Sequence, residues 1–291
     1  MGNKPFAKWA KAARLPGSEI LEPFAGSNSL IKMLAEMGLC RHFKSFDVAP
    51  ADSAVRRRDT LARFPKGFDV CVTNPPWLAK NSATGRGLPF PACRYDDLYK
   101  YALEKCLANC TYVAALVPES FITSGVFLER LDSFVSITAE IFGDTRQPVG
   151  LALFGPDETD DTEIWSGKKR VGLLSNLQAQ RPQPQRGAVS VRFNDPDGNV
   201  GLFALDNTIE PSIRFCNVKE LADYDIRPSC RSITKIMVDG KVKIAAWNKL
   251  LNEFRQSTHD VLMTSFKGIR KDGKYRRRCD WALARGIIHN V

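Results

Sequence analysis

Two consecutive prolines, Pro75 and Pro76, close the short apolar run Phe68-Asp69-Val70-Cys71-Val72-Thr73, and they constrain the fold more than any other feature of the chain. A brief apolar run bounded by turn residues reads as a buried strand. Proline lacks an N–H and holds φ at about −65°, so neither a ladder nor a helix continues through the pair. The strand therefore ends at Asn74. Open α/β sheets place their ligands at the carboxyl ends of their strands, and Asn74 stands at such an end.

The same grammar precedes and follows it. Ile20-Leu21-Glu22 reads as a strand and Pro23-Phe24-Ala25-Gly26 as a tight turn. A helix starts near Ser29, with Leu30, Ile31, Leu34 and Met37 at helical spacing. Ser45-Phe46-Asp47-Val48 is a second strand ending in an acid, about 20–25 residues after the glycine turn, where an acid of a βαβ unit reaches ribose hydroxyls. A third acid opens Asp59-Thr60-Leu61. Alone, each acid also suits a solvated loop or a helix cap; their order is what points to a cofactor cleft. Further on, 79–91 reads as a loop and Asp96 to Cys110 as an amphipathic helix. Tyr112 to Pro118 reads as a strand and Val126 to Phe134 as a helix. Ile137 to Phe142 and Val149 to Phe154 read as an antiparallel edge hairpin.

The residue types at Asn74-Pro75-Pro76-Trp77 suit a planar amine. Conjugation delocalises such a nitrogen's lone pair, which makes it a poor nucleophile. An amide oxygen from Asn74 and the main-chain carbonyl of Pro75 can accept its two N–H bonds and draw it towards a tetrahedral shape. Trp77 offers a flat face to a base swung out of its stack. The plain alternative is a Pro-Pro loop with Asn74 as a turn residue.

These residues resemble the S-adenosyl-L-methionine-dependent N6-adenine DNA methyltransferases of the gamma arrangement, over roughly the first half of the chain. The resemblance implies a Rossmann-like class I methyltransferase sheet, mostly parallel with an antiparallel edge hairpin. It assigns Glu22, Pro23, Phe24, Ala25, Gly26 and Asn28 to the methionine end of the cofactor, though a glycine is common at Asn28. It gives Asp47 and Val48 to the ribose, and Asp59, Thr60 and Leu61 to the cofactor's adenine. Trp9 lies where a cofactor-flanking motif falls. Asn74 to Trp77 become catalytic, with Trp77 where Tyr or Phe is more frequent. Phe142 is a candidate to pack on the flipped base, although it also suits an ordinary core. The reaction implied is methyl transfer to N6 of a flipped adenine in double-stranded DNA, by an orphan enzyme or half of a restriction-modification pair. An RNA adenine, a protein glutamine amide, or a non-catalytic nucleic-acid-binding module with a decayed fold are the alternatives.

Composition bounds the remainder. With 291 residues, two domains are expected, 1–155 carrying the cofactor and catalytic motifs and 156–291 the target-recognition part. The second is expected to be α+β, with a hairpin joining Val189–Phe193 to Val200–Leu205 and a helix from Ile244. Eight cysteines without a C-x-x-C pair, and only three histidines, argue for reduced thiols and no metal site. No apolar run is long enough to span a bilayer, so a cytoplasmic protein held at DNA, monomeric or homodimeric, is expected. Lys and Arg number 42 against 32 Asp and Glu, a net charge of +10 that suits a polyanion. Lys267, Arg270, Lys271, Lys274, Arg276, Arg277 and Arg278 crowd one stretch around Asp272-Gly273, and read as two basic arms of a hairpin laid on phosphates. Lys80 and Arg86, just past Trp77, extend the candidate DNA contacts.

Overall fold

The computed structural model describes residues 4–137 and 147–291. They form two compact units, Met1–Phe121 with Gly125–Val135 and Val149–Lys168, and Ile122–Ser124 with Ser136–Pro148 and Lys169–Val291. The division falls at Lys168, past the acidic break at 155–161, and β8 (Glu163–Ser166) lies in the first unit.

The first unit runs α1 (Lys4–Ala12), β1 (Glu19–Glu22), α2 (Ser29–Glu36), β2 (His42–Asp47), β3 (Val55–Arg57) and β4 (Val70–Thr73). It continues with α3 (Lys80–Gly85), α4 (Leu98–Asn109), β5 (Tyr112–Pro118), β6 (Leu131–Ser136), β7 (Val149–Phe154) and β8. Within it the strands lie in the order β3-β2-β1-β4-β5-β7-β6-β8. β3, β2, β1, β4 and β5 pair in parallel. β7 runs antiparallel to β5, from Val113 opposite Phe154 to Pro118 opposite Val149. This is the expected Rossmann-like arrangement, a mostly parallel sheet with an antiparallel partner beside β5. Every residue of β4 and β7 is buried, as befits strands covered on both faces.

Three expectations change here. Val126 to Phe134 is not a helix. Gly125 and Phe127 both take positive φ, a 3₁₀ turn covers Leu128–Arg130, and the chain enters β6 directly. Arg130 fixes that entry by donating to the carbonyls of Leu107, Thr111 and Gly155. β7 has β6 as its neighbour, so the edge pair starts earlier than Ile137; residues 138–146, Phe142 among them, lie outside the described residues. The 79–91 segment carries the short helix α3.

The second unit contains β9 (Lys169–Leu173), α5 (Leu174–Ala179), β10 (Val191–Phe193), β11 (Val200–Phe203), β12 (Arg214–Asn217) and β13 (Ile233–Val238). Then come α6 (Ile244–Ser257), β14 (Thr264–Ile269), β15 (Tyr275–Arg278) and α7 (Trp281–His289). Its antiparallel sheet has the order β10-β13-β11-β12, so β10 and β11 do not pair as the expected hairpin. β13 lies between them. Gly198 allows this, since a Cβ there would sit 2.7 Å from the Ile236 backbone nitrogen.

β14 and β15 do form the expected hairpin around Asp272-Gly273, with Gly273 at φ 77°. Its anchor is Asp206, fully buried, which accepts two bonds from Arg255 (3.0 and 2.9 Å) and one from Arg270 (2.7 Å). Arg255 also binds Asp260, and Arg270 binds Asp272. Burial alone would raise the Asp206 pKa; the Arg255 bonds and charge, the Ser212 amide and Arg270 overcome it and hold the group below the usual carboxylate range. Among the described residues no helix is long and apolar enough to cross a membrane, no side-chain group is arranged to hold a metal, and all eight cysteines are free.

Candidate active site

Parallel pairing brings the ends of four adjacent strands together. β1 is level with β4 through Ile20 opposite Val70 and Leu21 opposite Cys71, and with β2 through Glu22 opposite Ser45. The carboxyl ends of β3, β2, β1 and β4 therefore present Asp59, Asp47, Glu22 and Asn74 on one edge of the sheet. The end of β2 and the segment after β3 are bonded to the turn that follows β1.

That turn is held almost entirely by backbone donors and acceptors. The Gly26 amide donates to Asp47 Oδ2 (2.8 Å), the Ala25 amide to the Phe46 carbonyl (2.9 Å), and the Thr60 hydroxyl to the Pro23 carbonyl (2.8 Å). Asp47 Oδ1 accepts from the Ala49 amide at 2.8 Å. Gly26 and Asn28 both adopt left-handed backbone, φ 50° and 62°. Asparagine is the residue other than glycine that tolerates this conformation best, which accounts for Asn28 where a glycine was expected. Its side chain has a second task. Asn28 is buried and its Oδ1 accepts from Ser45 Oγ at 2.7 Å, tying the start of α2 to β2. Val48 projects from this edge at 63% exposure, an apolar surface beside Asp47 that a flat ligand group could cover. Asp59 caps its own turn through the Ala62 amide, and Leu61 is half-buried.

Glu22 is the electrostatic centre. It is 1% exposed, and its Oε1 accepts from the Thr73 hydroxyl at 2.7 Å and the Phe24 amide at 3.1 Å. Its Oε2 is buried with no hydrogen-bond partner among the described residues. Burial pushes its pKa up to about 8, against the pull of Thr73 and Phe24, with Asp47 adding a smaller upward push. One step along β4, Asn74 Oδ1 is likewise buried with no hydrogen-bond partner among the described residues. Two buried side-chain oxygens without a partner among the described residues thus stand on adjacent strand ends, and a buried acceptor left so costs roughly 1–3 kcal/mol. Pro75 is buried, and Pro76 and Trp77 are half-buried in the extended segment that follows.

Asp97 fixes that segment from its far end, a role the sequence reading missed. Its Oδ1 accepts from the Leu78 amide (3.2 Å) and from Tyr99 at the head of α4, and Ala79 bridges to Asp97. An Asp directly before a helical run is the signal that could have found it. Thr73, read only as the last strand residue, also belongs to the site.

Trp9 does not belong to it. Its indole donates to the Phe154 carbonyl (2.9 Å), it stacks on Phe6, and it meets Tyr112 edge-on. Tyr112 opens β5 and Phe154 closes the antiparallel β7, so Trp9 fills the core at the end of the sheet away from Asn74. Among the basic candidates Lys80, Arg86, Lys267, Lys271 and Lys274 are exposed, and Arg276 and Arg278 half-buried. Arg270 and Arg277 are buried, and Arg276 donates to the Asp206 carbonyl and covers Phe266, so these three serve the hairpin's own structure.

No family model matches the chain. No curated protein matches it either. Among solved structures it is similar to a protein described as the modification subunit of a type I restriction enzyme from Vibrio vulnificus, at 15% identity over 54% of this chain and TM-score 0.40. It is similar to the type I restriction-modification methyltransferase subunit from Streptococcus thermophilus, at 16% identity over 57% of this chain and TM-score 0.37. A third is the type I restriction enzyme EcoKI M protein, at 12% identity over 99% of this chain and TM-score 0.39. The chain spans 46%, 47% and 69% of their respective lengths.

Proposed function

We propose that the protein is an S-adenosyl-L-methionine-dependent DNA methyltransferase that modifies N6 of adenine in double-stranded DNA. The observation that carries this reading is the buried, unpartnered Asn74 Oδ1 at the end of β4, on the strand tied to Glu22 through Thr73. A rigid acceptor without a partner suits a planar exocyclic N–H, and the prolines after it keep the segment from re-forming bonds of its own. In this reading Glu22 and the turn to Asn28 hold the amino-acid end of the cofactor, Asp47 and Val48 its ribose face, and Asp59, Thr60 and Leu61 its adenine. Glu22 Oε2, with no donor of its own, fits an ammonium group. The cofactor supplies an electrophilic methyl group when bound. Asn74 and the Pro75 carbonyl orient the substrate amine, Trp77 supports the extruded base, and positioning with preorganised acceptors provides most of the acceleration. The second unit contributes the nucleic-acid contacts.

The test is transfer of a radiolabelled methyl group to duplex DNA, RNA and protein in parallel, by wild type and Asn74→Ala. The expected result is label on duplex adenine N6 with wild type, none with the variant, and cofactor affinity within a few-fold for both. Near wild-type transfer by Asn74→Ala would defeat the catalytic assignment. Label found only in RNA or protein would replace the substrate class.

A further inference from the structure

The second unit holds a cavity of about 160 Å³ lined by Arg231, Arg278, Cys279, Asp280 and Trp281, with room on the order of ten waters. Five other arginines of the second unit are paired with carboxylates. Arg181 binds Asp280, Arg192 binds Asp195 and Asp239, Arg214 binds Glu220, and Arg255 and Arg270 share Asp206. Asp280, the acid in the cavity wall, is saturated by both bonds from Arg181, the Thr264 hydroxyl and the Leu283 amide. Arg231 and Arg278 have no carboxylate partner among the described residues. Two uncompensated guanidinium groups thus line one concave site. Its third wall is aromatic. Trp281 lies flat on Phe193, with ring centroids 4.8 Å apart and planes 8° apart, and Arg285 covers Phe193.

We propose that Arg231, Arg278 and Trp281 form a subsite for one nucleotide of a nucleic-acid strand, the guanidinium groups taking its phosphate and the indole its base or sugar. Guanidinium forks match phosphate oxygens, and a braced indole is a platform at low entropic cost. Of the three, only Arg278 was legible as a contact, within its basic run; Arg231 and Trp281 sit apart in sequence and meet through the fold. The proposal rests on the nucleic-acid reading of this unit, not on the chemistry assigned to Asn74.

Fluorescence anisotropy with a short labelled duplex, titrated at several salt concentrations, tests it on the full chain. Arg231→Gln with Arg278→Gln should weaken binding at least ten-fold and flatten the dependence of log K on log salt by about 0.9, the value for one neutralised phosphate. Trp281→Ala should weaken binding about ten-fold with little change in slope, and Trp281→Phe should restore most of it. The thermal midpoint serves as the folding control for each variant. Unchanged affinity and slope in the double Gln variant overturns the subsite, as does a wild type that binds no duplex, single strand or RNA. Binding by wild type without methyl transfer would defeat the catalytic reading while leaving this comparison decisive.

Discussion

The Thr73 hydroxyl donates to Glu22 Oε1 across 2.7 Å, joining the last residue of β4 to the last residue of β1 inside the protein. Through this bond the strand that ends in Asn74 and the strand that opens the glycine turn share one buried carboxyl group. The bond also lowers the Glu22 pKa, though burial outweighs it and leaves the value at about 8.

Ligand binding should therefore be linked to pH. With a folded pKa near 8 and an unfolded value near the ordinary 4.3, the folded state holds more protons between these values, so stability falls as pH rises through that window. A cationic ligand group at Oε2 favours the carboxylate and expels the proton. Affinity for S-adenosyl-L-methionine should rise by up to about ten-fold per pH unit between pH 6 and 8, then level off. Glu22→Gln should bind weakly with a flat profile, and Thr73→Val should move the levelling point upward. Isothermal titration calorimetry in buffers of differing ionisation enthalpy reads the proton release directly. No release and a flat wild-type profile would remove Glu22 from the ligand site.

Trp77 should matter to the base and not to the cofactor. If it supports an extruded adenine, Trp77→Ala should lose about 1–3 kcal/mol of base stabilisation while Trp77→Phe keeps most activity. With 2-aminopurine at the target position, the fluorescence rise on wild-type binding should change in the alanine variant. An unaltered signal with unaltered kinetics would make Trp77 a packing residue.

What the sequence revealed follows from how local each signal is. The Gly26 turn, the acids at 22, 47 and 59 and the Asn74-Pro75-Pro76 stop are strand-end signals, and parallel pairing converts their order into proximity. Pairing partners are non-local, so β13 entering between β10 and β11 was invisible, and only the close approach at Gly198 hints at it afterwards. Trp9 was misassigned because an indole in the core and one in a site look alike until the carbonyl of Phe154 accepts its N–H. The basic run misled in a related way. Strand alternation turns Arg277 inward and the Asp206 cluster takes Arg270, which a count of charges does not show.

That cluster should govern the stability of the second unit. Arg255→Ala leaves Asp206 and Asp260 short of their main partner and should cost roughly 3–5 kcal/mol, the usual consequence of breaking a buried pair. Because the Asp206 pKa is depressed, its contribution is present above the unfolded carboxylate pKa and is lost as pH falls through the folded value. Urea denaturation at pH 7 and pH 3 should show the difference between wild type and Asp206→Asn shrinking at the lower pH. A constant difference would mean the charges contribute little there.

The same burial decides how the hairpin's part in DNA binding should be measured. Removing Arg276, Arg277 and Arg278 together would take out a buried residue and the bond to the Asp206 carbonyl, so weakened binding would report a damaged hairpin. Lys267, Lys271 and Lys274 are exposed and have no ion-pair partner among the described residues, so they can be removed without opening the fold. Each lysine that meets a phosphate releases condensed counterions, and each replacement by alanine should flatten the dependence of log K on log salt by about 0.9 on duplex DNA. The triple variant should lose affinity equally for cognate and non-cognate duplexes, since phosphate contacts carry no sequence information. Its thermal midpoint should stay at the wild-type value. If the slope does not move while the fold is intact, these lysines are a solvated face and the footprint on DNA lies on other residues.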